Sequence, residues 1–169
     1  VTGVRVRAMR ADEHEAFRAI RLRMLADAPT AFGERLADAE RIPDAEWRIR
    51  ATRMTRLGRA AVIAEDDDGW CGIMRGHYSP VRGPELVGVY VDARARGRAA
   101  GVADRLLAEI VAWAIDLDGD TLTLDVHEHN ARAIAFYRGR GFVPTGHTEA
   151  YPLDPTTREV EMRRLLTTP

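Results

Sequence analysis

Apolar and polar residues change their spacing several times along the chain, and each change marks an element. Val4 and Val6 alternate with Arg5 and Arg7, the period of a half-buried strand. Asp12 then offers a helix cap, and Phe17, Ile20 and Met24, with Leu22 and Leu25, recur at helical spacing to about Ala26. The run DAPTAFG at 27–33 ends that pattern, and a second helical stretch is expected over roughly 34–57, interrupted near Pro43 and containing Trp47. The period then shortens. AAVIAE at 60–65 and WCGIMRGHY at 70–78, joined by DDDG at 66–69, predict a hairpin, and ELVGVYVD at 85–92 predicts a further strand after the loop at 79–84. ARARGRAAG at 93–101 leads into an amphipathic helix over about 101–116, with Leu106, Leu107, Ile110, Val111 and Trp113. TLTLDV at 121–126 reads as a strand, and 127–142 holds a short helix closed by Gly139 or Gly141. Two more strands, about 143–151 and 158–166, follow around PLDPTT. The pattern predicts an α/β fold: a strand, two helices, three strands, then alternating helix and strand, within one domain over 1–169.

Composition narrows the chemistry. All 25 basic residues are arginine, so lysine-dependent Schiff bases, a pyridoxal anchor and a phosphate-loop lysine are excluded. Twenty-five cations against 26 carboxylates leave a net charge of −1, which argues against a nucleic-acid partner. The most apolar helical run, 106–117, is interrupted by Glu109 and Asp116, and the first residues carry no signal-peptide pattern, so no membrane partner and a cytoplasmic location are expected. The single cysteine, Cys71, has no internal disulfide partner and is expected to pack within its strand. HEH at 127–129 lacks metal-ligand spacing, and no metal is expected.

Two segments carry the candidate chemistry. From 85 to 107 a strand passes through a Gly/Arg turn into a helix, which gathers backbone N–H groups, the positive helix end and the cations Arg94, Arg96 and Arg98 at one point suited to phosphates. The plain alternative is a solvated arginine turn before an ordinary helix. In the second segment, Asn130 and Tyr137 stand seven residues apart, about two helical turns, so both can face one cleft. Taken alone, Asn130 reads as a helix cap and Tyr137 as a core or edge aromatic.

Together these segments resemble the acyl-CoA-binding core of the GNAT superfamily of N-acetyltransferases. RAAGVA at 98–103 matches that family's Arg/Gln-x-x-Gly-x-Gly/Ala signature, between a strand and an amphipathic helix. Asn130, Ala133, Phe136, Tyr137, Gly141 and Phe142 match its Asn-x-x-Ala-x-x-Phe-Tyr-x-x-x-Gly-Phe pattern. RARGRA at 94–99 satisfies the first signature as well, so two registers compete: spacing to Leu106–Leu107 favours Arg98, and spacing from Val91 favours a start nearer Arg96. The resemblance covers roughly 60–166, and the first third fits by element order alone.

The resemblance implies a mixed, mostly antiparallel sheet flanked by helices, with its fourth and fifth strands splayed apart; Gly88 marks the local irregularity or is a packing glycine. It implies acetyl-CoA as cosubstrate: pyrophosphate over Arg96, Gly97, Arg98, Ala99, Gly101, Val102 and Ala103, pantetheine along Val89, Tyr90 and Val91, and further contacts at Asn130, Ala133 and Phe136. Backbone N–H groups near Val89 or Tyr90 would stabilise the oxyanion. Tyr137 matches the position that protonates the departing thiolate. Glu85 stands where several members carry a base, the alternative being a merely solvated strand-end glutamate. The implied reaction is direct transfer of acetyl to a primary amine of a small molecule, peptide or protein, in a family whose members are often homodimers. A non-catalytic acyl-CoA-binding or interaction domain of the same fold is the competing reading.

Overall fold

The computed structural model describes residues 3–97 and 101–166. Strand β1 (Arg5–Ala8) precedes helices α1 (His14–Asp27), α2 (Leu36–Glu40) and α3 (Asp44–Met54). Strands β2 (Arg59–Asp66), β3 (Gly69–Ser79) and β4 (Gly83–Val91) follow, then a 3-10 turn at Ala93–Ala95 and helix α4 (Val102–Asp116). Strand β5 (Thr121–His127), helix α5 (Ala131–Arg138) and strands β6 (Val143–Tyr151) and β7 (Asp154–Leu165) complete the fold.

The seven strands form one sheet in the order β1-β2-β3-β4-β5-β7-β6. Every neighbouring pair is antiparallel except β4 and β5, which run parallel and meet at one residue pair, Glu85 opposite Thr123. A parallel pair needs a long crossover, and α4 supplies it. Beyond Glu85 the two strands diverge, so the expected splay is present. The sheet has a core on each face, because successive side chains of a strand point to opposite sides. Leu106, Ile110, Leu122, Leu124 and Met162 fill the α4 side. Phe17, Ile20, Trp47, Ile63 and Ile73 fill the α1–α3 side, with Phe17 edge-on to Trp47 at 5.8 Å between ring centroids.

Two local expectations need correction, and a third is met. Asp12 does not cap α1: the cap position is Glu13, whose carboxylate makes no capping bond to the helix. Glu13 instead holds Arg7 at 2.6 and 2.9 Å and accepts the Arg10 backbone N–H at 2.7 Å, because a carboxylate beside a guanidinium gains more from that charge-assisted fork than from a neutral amide. The interruption expected near Pro43 is present: 34–57 holds two helices, the second starting just after Pro43, whose φ of −64° suits a helix entry but whose missing N–H cannot extend a preceding helix. The last strand begins at Asp154, not 158. Pro155 is accommodated because the β6–β7 register is irregular there and pairing with β5 begins only at Glu159.

Candidate active site

The site is built where β4 leaves β5. Ile73 pairs with Tyr90 while Arg75 pairs with Val87, so Gly88 and Val89 together face Met74 alone. This is a β-bulge. Gly88 makes it with φ of +57°, a conformation costly for any residue with a Cβ. The bulge resets side-chain alternation: Leu86 and Val89 both turn toward the α4 core, and Tyr90 turns toward the α1 side. Asp92 donates its N–H to Cys71 on β3 at 2.8 Å. By the alternation of an antiparallel ladder, the backbone groups of Val91 therefore face the splay.

Arg96 confirms that direction. Its Nε donates to the Val91 carbonyl at 2.6 Å, and its guanidinium lies over the Tyr90 ring at 5.8 Å. The Tyr90 hydroxyl in turn donates to Asp27 at 2.5 Å; burial, reinforced by Asp27, pushes that phenol well above its ordinary pKa. Arg94 points elsewhere, paired with Asp66 and Asp68 of the β2–β3 turn. Of the three candidate cations, Arg96 thus lines the cleft and Arg94 does not; Arg98 and Ala99 lie outside the described residues.

Gly101 enters α4 with φ of +56° and provides no side-chain cap. The first N–H groups of α4 are left without intrahelical partners and open toward the same cleft. Gly97, Gly101 and Ala103 line it. Val102 does not: its side chain is buried in the core, leaving its backbone N–H as its only means of meeting a ligand. On the opposite wall, Asn130 caps α5 through a bond from the Ala133 N–H at 3.1 Å. About two turns beyond Asn130, Phe136 and Tyr137 meet edge-on at 5.4 Å. Tyr137 is buried, and burial alone drives its phenol far above the ordinary range, so it stays protonated through neutral pH. Arg140 stacks on Phe136 at 3.7 Å and grips Asp104 at 2.6 and 2.9 Å.

These groups enclose a cleft of about 700 Å³, a size that suits a cosubstrate arm. Val89, Tyr90, Val91, Arg96, Gly97, Gly101, Ala103, Asn130, Ala133, Phe136 and Tyr137 are brought together in its lining. Sequence reasoning missed Asp27 and Phe32 on one wall and Arg132 and Arg140 on the other. The two arginines follow Asn130 closely enough to have been noticed. Asp27 and Phe32 reach the cleft through tertiary packing and left no local signal.

Glu85 lies apart from that lining. It is buried at the β4–β5 contact, with His77 Nδ1 at 3.1 Å and Arg82 at 2.8 Å. Arg82 also forks onto Asp125 at 2.8 and 3.0 Å and reaches Glu161 at 3.1 Å. Nearby, the Thr123 hydroxyl is buried with no hydrogen-bond partner. Glu159, which pairs with His127 and Glu149 in the sheet, is half-buried. Burial first, then Asp125 and Glu149, raise its carboxyl above the usual range. Cys71 is fully buried, 3.5 Å from the Ala64 carbonyl, a packed strand residue as expected.

Among the described residues, no helix is long and apolar enough to cross a membrane. None of their His, Cys, Asp and Glu side chains form a group of three able to hold a metal. A search of curated protein sequences finds no match. Among solved structures, a GNAT-family acetyltransferase from Streptococcus pneumoniae superposes with a TM-score of 0.78 at 19% identity, covering 97% of this chain and 99% of that one. The yncA protein of Salmonella typhimurium, solved with its cofactor acetyl-CoA, gives 0.77 at 14% identity, covering 99% and 96%. A ribosomal-protein-alanine N-acetyltransferase from Brucella melitensis gives 0.76 at 22% identity, covering 96% and 99%. At these identities the likeness is one of fold. The profile of the acetyltransferase (GNAT) family matches residues 20–142, most of the chain, and on that ground the protein belongs to the GNAT acetyltransferase family.

Proposed function

We propose that this protein is an N-acetyltransferase that moves the acetyl group of acetyl-CoA directly to a primary amine. The observation that carries the reading is the open edge of β4, which leads from the Gly88 bulge to the uncapped start of α4 and faces the buried Tyr137 across one cleft. Bound acetyl-CoA would supply an activated thioester there. The residues fit it: an edge strand with free backbone groups suits an extended amide-bearing arm, and a helix start preceded by Gly97 and Gly101 suits phosphates. Arg96 has to release the Val91 carbonyl for that arm to lie on the strand, which frees its guanidinium for the phosphates.

The remaining roles belong to the chain's own groups. Backbone N–H groups at the bulge, near Val89 or Tyr90, stabilise the developing oxyanion. Tyr137, kept neutral by burial, donates a proton to the departing sulfur. Glu85 and His77, 3.1 Å apart on the α1–α3 face, pass the proton of the incoming ammonium to solvent. An amine attacks the thioester without a protein nucleophile, so the absence of lysine costs the reaction nothing. It also means that the enzyme carries no side-chain amine of its own to acetylate. We place the activity in the cytoplasm, in one domain spanning the chain.

The test is release of free thiol from acetyl-CoA by the purified protein against a panel of primary amines. Thiol release that depends on one class of amine supports the reading. Tight acetyl-CoA binding with no release for any amine points to the non-catalytic module instead.

A further inference from the structure

On the α1–α3 face of the sheet, the arginine beside the bulge has no counter-ion among the described residues. Arg75 of β3 lies across the bulge: a Cβ built on Gly88 would stand 2.5 Å from its Nε and Nη2. Its one polar contact among the described residues is the Met54 sulfur at 3.5 Å. The nearby carboxylate, Glu34, is already shared between Arg21 at 2.7 Å and Arg50 at 3.0 Å. Arg50 also reaches Glu46 at 3.5 Å, so Arg21, Arg50 and Arg75 face two carboxylates, an excess of one cation. Arg75 is enclosed by protein yet still reached by solvent. Burial, with Arg21 pushing in the same direction, lowers its guanidinium to about 10, which leaves it charged at neutral pH.

A desolvated cation with no anion beside it is costly and persists where a ligand brings the anion. The phosphates of the cosubstrate cannot be that anion. Arg75 pairs with Val87, and Val91 lies four residues further along β4, roughly 12 Å away at strand spacing. Phe32 links the two regions: it lines the cleft on one side and lies under the Arg21 guanidinium, 5.5 Å from its ring centre, on the other.

We infer that Arg75, backed by Arg21 and Arg50, binds a carboxylate of the acceptor, so that the acceptor is a small amino-acid-like amine. This deepens the acetyltransferase reading and rests on it. The guanidinium sits on Gly88, and the open strand edge begins one residue on, about 3.3 Å of backbone. The anion and the reacting amine must then lie within a few bonds of each other. That selects free amino acids over polyamines and aminoglycosides, which bring only cations, and over peptide N-termini, whose neighbouring carboxyl is an amide.

The experiment compares the common L-amino acids with their α-amides on the whole protein. Thiol release is followed with acetyl-CoA, and calorimetric binding is followed to the complex with coenzyme A. We expect at least one free amino acid to bind and be acetylated with a kcat/KM about 100-fold or more above that of its amide. Arg75→Gln is expected to erase that ratio, and Arg75→Lys to restore part of it, with acetyl-CoA binding unchanged in both. The comparison of acid with amide on the wild-type protein stands even where a variant fails to fold. Amides or polyamines used as well as the acids, or no amino acid bound at all, overturns the anion site while leaving the acetyltransferase intact. Failure of the wild-type protein to bind acetyl-CoA overturns both.

Discussion

The two sides of the β4 bulge are made from different materials. The side toward α4 and α5 is built largely from backbone: a strand edge, a glycine at the helix entry, an amide-capped α5. The side toward α1–α3 is built from charged side chains, with Arg75 beside the Arg21–Glu34–Arg50 group and Glu85 among Arg82 and His77. The difference teaches where variation is tolerated. A ligand that never changes can be held by main-chain groups, which almost any sequence supplies. A ligand that differs between relatives has to be met by side chains.

Substitutions can break or sharpen this contrast, and the largest effect is expected on the backbone side. Tyr137→Phe removes a hydroxyl but little volume. Turnover is expected to fall about 100-fold, the scale of a lost general acid, while KM for acetyl-CoA stays put; an equal loss in KM would make Tyr137 a binding residue instead. Next comes Gly88→Ala, placed where the two sides meet. Its Cβ collides with Arg75 and its φ becomes unfavourable. The expected cost is about 1–2 kcal/mol of stability from backbone strain alone, measured by urea unfolding, together with a loss of activity that Tyr137→Phe does not share in stability.

Smaller effects lie on the charged side and at the sheet's far edge. Arg7 holds the Glu65 carboxyl down at about 2, with Arg5 adding to it and burial opposing it. A lowered carboxyl stabilises the fold above its unfolded pKa and loses that contribution as pH falls through the folded one. Between about pH 4.5 and pH 2, wild type should therefore lose more stability than Glu65→Gln, as seen in urea midpoints. Glu159 has the opposite sign. Its raised carboxyl makes the fold less stable as pH rises through that carboxyl's range, so Glu159→Gln should stabilise by less than about 1 kcal/mol at neutral pH and have no effect in acid.

The same contrast explains what was legible in the sequence. Strand and helix periods placed nearly every element, and the order of a strand, a Gly/Arg turn and an amphipathic helix located the cleft, because backbone geometry follows local rules. Helical spacing put Asn130 and Tyr137 on one face, and the resemblance to the GNAT pattern singled them out as site residues. Asp12 was misread, since the competition between capping and the Arg7 pair depends on a neighbour on another element. Arg75 was invisible for the same reason. Within WCGIMRGHY it is an ordinary outward residue of a hairpin, and only the folding of α1, α3 and the bulge around it leaves it without a carboxylate partner among the described residues.

The single pairing of Glu85 with Thr123 has a mechanical consequence. The seven strands are two plates, β1–β4 and β5–β7, stitched at one point and strapped by α4. Such a joint pivots more easily than a continuous ladder. A cosubstrate lodged in the wedge acts as a splint between the plates and stiffens their relative motion. Under the proposed function, such a joint would favour one order of binding: donor first, acceptor second.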